Sequence, residues 1–248
     1  MRNRFKHRSG QAELMDGPGV PRELLWQNLR ELDFLNRNSG GHSATIRSIK
    51  KLITGKNKTW SITDLGCGSG DTLVRIARWA HKHQLKVVLT GVDNNPDAIA
   101  LLRVKCSGFP EINGIVSDYR EFLENTPSTD IIISTLFCHH LDDPELVWFF
   151  QKLHNHVNTG FVINDLIRNR LAYYGAKLMT SLLNGSVLSK NDGPVSVLRG
   201  FKRKELDFIL QEAGVRHYHI YRRWCFRFLI IGRSVGQPFP KKTADERR

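Results

Sequence analysis

From Thr59 onward the chain alternates between short apolar runs and helical patterns, and no other feature constrains the fold so tightly. Residues 61–65 read as a strand, followed by a glycine-rich turn and a helix over 71–83. Strands are predicted again at 86–92, 114–117, 131–136 and 161–164. Asn95-Pro96 supplies a cap and a proline at the first helical position, opening a helix to about 105, and Asp143-Pro144 starts another that runs to about 156. Asp118 and Glu121 have capping-box spacing at a further helix start. Repeated strand–helix units require parallel strands with helical crossovers on both faces. Residues 217–221 and 225–231 read as a hairpin that ends the sheet. The expected fold class is therefore α/β, an open, mostly parallel sheet with an antiparallel C-terminal hairpin.

The remaining segments are placed around that sheet. Residues 1–58 form an N-terminal helical extension, and 59–248 form the main domain with a helical lid insertion at 166–199. Gly17-Pro18-Gly19-Val20-Pro21 is a turn signal. Leu25, Leu29 and Leu32 then share one helical face, as do Ile46, Ile49 and Ile53. Within the insertion Leu171, Tyr174, Leu178 and Leu182 have helical spacing, ended by Asn184-Gly185. Asn191-Asp192-Gly193-Pro194 reads as a turn, and a helix resumes near Lys202.

Composition narrows the setting. The most apolar stretch, 224–231, is short and contains Arg227, so no transmembrane segment is expected. The basic N-terminus has no apolar signal region behind it. Cys67, Cys106, Cys138 and Cys225 form no CxxC unit, which argues for reduced thiols, a cytoplasmic location and no structural zinc. The net charge of +13 is concentrated at the ends. Residues 1–10 carry four basic side chains, and 216–248 carry nine against two acidic. A nucleic-acid enzyme lines its working face with charge, so basic ends alone do not favour such a partner.

The informative segment is Ile62-Thr63-Asp64-Leu65-Gly66-Cys67-Gly68-Ser69-Gly70-Asp71, between the first strand and its helix. Glycines there let the backbone turn and approach a ligand closely. The spacing is GxGxG rather than GxGxxG, and Asp64 at the strand end would repel a pyrophosphate. Asp93 ends the second strand, where an acid can accept from both ribose hydroxyls. Asp118 follows the third and can accept from an adenine amine. Three acids at successive strand ends ask for adenine, ribose and positive charge without phosphate. S-adenosylmethionine meets that description.

These motifs resemble those of class I S-adenosylmethionine-dependent methyltransferases, which share a Rossmann-like sheet. Residues 64–70 match the first motif, 91–96 the second and 117–119 the adenine-contact motif. Residues 130–141 are similar to the fourth-strand motif of the ubiquinone/menaquinone-biosynthesis type. The resemblance implies that Gly66, Cys67 and Gly68 pass the methionine part, with Asp64 beneath the loop. It also implies Asp93 on the ribose, Asn94 beside the adenine, Asp118 and Tyr119 at its edge, and Thr135 and Leu136 near the methionine amine. S-adenosyl-L-homocysteine would be the product. Weaker likenesses at 32–41, 165–168 and 192–199 point to small-molecule methyltransferases of bacterial secondary metabolism and favour an aromatic or polyketide-like acceptor, free or carrier-bound.

The catalytic candidates are His139, His140 and Asp165, which follow the fourth and fifth strands. A histidine there can take a proton from a phenol. It can equally cap the turn before Asp142-Asp143. Asp165 is a base or a structural acceptor for Arg168 or Arg170. No metal is expected, because adjacent histidines rarely converge on one ion. Arg168, Tyr173 and Arg199 on the insertion are candidate substrate contacts. Two other readings stand beside the small-molecule enzyme. One is an RNA methyltransferase, although no Pro-Pro-Tyr/Phe motif follows the fourth strand. The other is a non-catalytic S-adenosylmethionine-binding protein.

Overall fold

The computed structural model describes residues 2–182 and 185–234. Asn184 and much of the basic C-terminal segment lie outside the described residues. The chain opens with α1 (Arg22–Asn38) and α2 (Gly41–Leu52), then alternates. β1 (Thr59–Leu65), α3 (Asp71–Lys82), β2 (Lys86–Asp93), α4 (Pro96–Lys105), β3 (Ile112–Val116) and α5 (Tyr119–Asn125) form the first half. β4 (Thr129–Thr135), α6 (Asp143–His156) and β5 (Val157–Leu166) continue it. Three helices follow, α7 (Arg170–Leu182), α8 (Val187–Arg199) and α9 (Arg203–Glu212). The hairpin β6 (Tyr218–Arg223) and β7 (Arg227–Arg233) closes the chain.

The sheet order is β3-β2-β1-β4-β5-β7-β6. β1 to β5 are parallel, and β7 runs antiparallel to both β5 and β6. This is the α/β architecture expected from the alternation. The order reverses between β1 and β4, so their C-terminal ends frame the crevice where open α/β sheets bind ligands.

Two apolar layers sandwich the sheet. One gathers Phe149, Phe150, Phe161, Phe201 and Phe228, and the other Ile49, Leu52, Trp60, Leu73 and Ile76. α2 thus packs on the sheet like the crossover helices. α1 rests on α4 through Leu25, Leu29, Ala98 and Leu101.

Local signals explain three of the helix starts. Asn95 caps α4 by accepting from Asp97 N at 2.9 Å, with Pro96 behind it. At α5, Asp118 accepts from Arg120 N at 2.7 Å. The reciprocal capping box forms instead at Asp142 and Glu145, opening α6.

The insertion departs from expectation twice. Asn191-Asp192-Gly193-Pro194 is no turn, because α8 runs through it. Ser186 caps that helix, and Leu188, Val195 and Leu198 bury its inner face. The Pro194 ring costs one backbone bond, and the packing outweighs it. On α7, Leu171, Tyr174, Leu178 and Leu182 do share a face, but it points to solvent. Their spacing signals a helix and not the direction of the core. Among the described residues no helix is long and apolar enough to cross a membrane.

Candidate active site

The loop after β1 turns on three glycines with left-handed backbones, Gly66 (φ 69°), Gly68 (φ 52°) and Gly70 (φ 75°). L-residues pay for that conformation, and glycine does not. A Cβ on Gly66 would lie 2.4 Å from the Phe137 ring, so glycine also lets that ring close over the loop. Gly66 N and Cys67 N donate to Val92 O at 2.9 and 3.1 Å, stitching the loop to the end of β2.

Asp93 completes this cradle. Its carboxylate accepts from Gly68 N at 2.9 Å and from Asn95 N at 3.0 Å, which leaves lone pairs on both oxygens. Burial pushes its pKa up, and the two backbone bonds act the other way. Asp64 lies beneath the loop, 2% exposed, and its Oδ1 has no hydrogen-bond partner. Burial and the nearby Asp93 charge raise its pKa well above the usual carboxylate range. A buried acid with an unpartnered oxygen beside a second acid fits a cationic ligand rather than a phosphate. Cys67 is buried, and its thiol is held protonated by burial. Asn94 and Asp118 are exposed and Tyr119 is half-buried at the same sheet edge. Tyr119 packs edge-on against Phe137 and Trp148.

β4 ends at Thr135, whose Oγ1 is buried and unpartnered. Leu136 then adopts φ 58°, a strained value for a side chain of that size, held by its N–H on Asn164 O at 3.0 Å. The chain turns there into a short 3-10 segment, Cys138–His140. His139 is 2% exposed. Its Nδ1 donates to Asp165 Oδ1 at 2.7 Å, and its Nε2 lies 3.3 Å from Glu13 Oε1. Burial works to lower the His139 pKa, but the two carboxylates outweigh it and push it up to about 10. Both acids are held below the usual range by His139 in return, against the opposing effect of burial. His140 stands beside it, with ring centroids 4.4 Å apart, and its Nδ1 donates to Asp16 Oδ2 at 2.7 Å.

Of the three expected substrate contacts on the insertion, two turn inward. Arg168 is buried and donates to Phe5 O, Lys6 O and Gly200 O while pairing with Glu205. It clamps the N-terminal segment to α9 rather than reaching a substrate. Arg199 donates to the carbonyls of His139, His140 and Gln11 and so fixes the turn that carries the histidines. Tyr173 is half-buried, receives a bond from Arg4 and packs edge-on against Phe5.

The sequence reading missed the N-terminal segment's part in this site. Arg8 donates to His139 O, Leu141 O and Asp143. Glu13 meets both histidines, and Asp16 meets His140. Asp192 anchors the segment by accepting from Leu14 N and Met15 N. One signal was present: Glu13 and Asp16 are the first acids in the chain, after twelve residues without any.

Comparison with known proteins bears on the fold. Residues 62–160 match the family model described as a methyltransferase domain. No curated protein matches the chain. Among solved structures, the plantazolicin methyltransferase BpumL in complex with SAH superposes with a TM-score of 0.62 at 15% identity, covering 86% of this chain and 95% of that one. A SAM-dependent methyltransferase from Aquifex aeolicus gives 0.62 at 16% identity, covering 87% and 100%. The methyltransferase domain of the citrinin polyketide synthase gives 0.56 at 15% identity, covering 85% of this chain and 52% of that one. At such identities these likenesses concern the fold.

Proposed function

We propose that this class I S-adenosylmethionine-dependent methyltransferase acts on a small aromatic or polyketide-like acceptor, at a hydroxyl oxygen or an acidic carbon. The observation that carries the proposal is the covered edge of the sheet. There the glycine cradle with Asp64 and Asp93 adjoins the buried His139–Asp165 pair under residues 5–16. A site roofed in this way suits a compact acceptor. The arginines around it support the same reading, because Arg8, Arg168 and Arg199 spend their donors on main-chain carbonyls and are not free for phosphates.

S-adenosylmethionine supplies an electrophilic methyl on a sulfonium, and the sulfur departs neutral. The chain's own work is to align and to exclude water, which can contribute ~7–11 kcal/mol. Gly66, Cys67 and Gly68 line the methionine part, with Thr135 and Leu136 beside its amine. Asp93 accepts from the ribose hydroxyls, and Asn94, Asp118 and Tyr119 border the adenine. The buried Asp165–His139 pair holds the turn that borders the acceptor oxygen. Phe137 and Tyr119 wall the methyl path from water.

The test is methyl transfer from labelled S-adenosylmethionine to a panel of phenols and polyketide-like acids, with tRNA alongside. Transfer to a panel member, falling ~10²-fold or more in Asp165→Asn, is the expected result. Transfer to tRNA alone would replace this reading with the nucleic-acid one.

A further inference from the structure

Glu13 faces both histidines at more than the spacing of a charge-assisted hydrogen bond. His139 Nε2 is 3.3 Å from one Glu13 oxygen, and His140 Nε2 is 4.0 Å from the other. Charge-assisted bonds of this kind run at about 2.7–2.9 Å. The same two rings do make such bonds on their other nitrogens, at 2.7 Å to Asp165 and 2.7 Å to Asp16. Ligand atoms that share a metal ion at ~2.0–2.2 Å sit roughly 3–3.5 Å from one another. One ligand atom from each of Glu13, His139 and His140 lies within 4.8 Å of the others.

We propose that Glu13, His139 and His140 form a binding site for a late first-row divalent cation, with Zn²⁺ as the reference ion. Three observations support it. Two imidazoles and one carboxylate are a ligand set used by catalytic zinc and non-haem iron sites, and it leaves positions for water or an acceptor oxygen. Each imidazole has its Nδ1 on a carboxylate, Asp165 or Asp16, the outer arrangement that fixes a metal-bound histidine's tautomer. Three carboxylates converge on two histidines, and Arg8 and Arg199, which border the turn, are engaged elsewhere. Arg199 donates to main-chain carbonyls, and Arg8 does so while pairing with Asp143. Adjacent histidines come together here because the short helical turn and the N-terminal segment bring a ligand atom of each ring and one of Glu13 within 4.8 Å of one another.

The site is buried at Glu13 and His139 but opens at His140 and Asp16, whose side chains are 19% and 45% exposed. An ion can enter from that side. Its place at the end of β4 puts it beside the proposed methyl path, where it would hold the deprotonated oxygen of a phenol or enol. That role rests on the function proposed above, whereas binding of the ion does not.

The experiment uses the full chain after dialysis against EDTA. Zn²⁺ binding is measured by competition with a chromophoric chelator, and Co²⁺ binding by its visible d–d bands. The expected result is one strong site per chain, weakened at least tenfold in Glu13→Gln. That variant keeps an acceptor for Ser196, which donates to Glu13 at 2.8 Å. Asp16→Asn, at an exposed side chain, should weaken the ion ~10–100-fold through His140. Circular dichroism of both variants confirms the fold. Absence of a strong site, or equal affinity in wild type and Glu13→Gln, would overturn the proposal. S-adenosylhomocysteine calorimetry on the same samples separates the two readings. Metal without S-adenosylhomocysteine binding contradicts the function proposed above and leaves the cation site standing, and the converse result contradicts the cation site alone.

Discussion

Arg199 holds His139 without touching its ring: its Nε donates to the His139 carbonyl at 3.0 Å, while Nη2 reaches the His140 carbonyl at 2.7 Å. One side chain at the last turn of α8 therefore sets the position of both histidines at the end of β4.

Arg199→Met should lower the stability of the protein by about 2–4 kcal/mol, because three carbonyls lose a charged donor. Urea unfolding measures this. The same variant should lose turnover while keeping its affinity for S-adenosylhomocysteine, since the glycine cradle lies on other strands. Equal losses of both would mean that the turn and the cradle are one mechanical unit.

Two glycine substitutions should have opposite signs. Gly66→Ala combines a left-handed backbone with a contact of 2.4 Å to Phe137, and should cost ~2–5 kcal/mol and abolish cofactor binding. Gly175→Ala lies inside α7 with nothing near its Cβ, and should stabilise by ~1 kcal/mol. Thermal unfolding of the pair distinguishes strain at the loop from a general intolerance of methyl groups.

Asp192 accepts from Leu14 N, Met15 N and Asn191, so Asp192→Ala should release the N-terminal segment. A loss of about 1–3 kcal/mol and faster proteolytic cleavage before residue 20 are expected. Cleavage at the wild-type rate would show that Arg8 and Arg168 anchor the segment without help.

Asp64 makes a prediction about pH. Its pKa is raised in the fold by burial and by Asp93, so the native state binds more protons than the unfolded chain. Its contribution is therefore lost as pH rises above the ordinary carboxylate value of about 4. Asp64→Asn should flatten that decline, and the cofactor-free variant should gain stability over wild type at neutral pH relative to pH 4. Denaturant titrations at several pH values read the slope. An unchanged slope would place a compensating positive group beside Asp64.

The sheet was legible because its signals are local. Asn95-Pro96 and the run from Asp142 to Pro144 each carry a cap and a first-turn proline within three residues, and the glycine loop with Asp64 and Asp93 needs only its two flanking strands. The insertion was not legible in the same way. Gly193-Pro194 reads as a turn until Leu188, Val195 and Leu198 bury α8 against the rest of the fold. The apolar face of α7 has the period of a buried helix but meets no core. Glu13 was hidden for a different reason. Its partner His139 is 126 residues away, and only closure of the N-terminal segment over β4 brings them together. Arg168 and Arg199 looked like a cationic lid because sequence gives charge and not direction.

Calorimetric titration of S-adenosylhomocysteine into wild type and Asp93→Ala tests the central claim most directly. Loss of two hydroxyl bonds to a carboxylate should weaken binding ~10²-fold or more. Micromolar binding by wild type that collapses in the variant is the predicted result. Equal affinity in both proteins, or no binding by correctly folded wild type, would contradict the account.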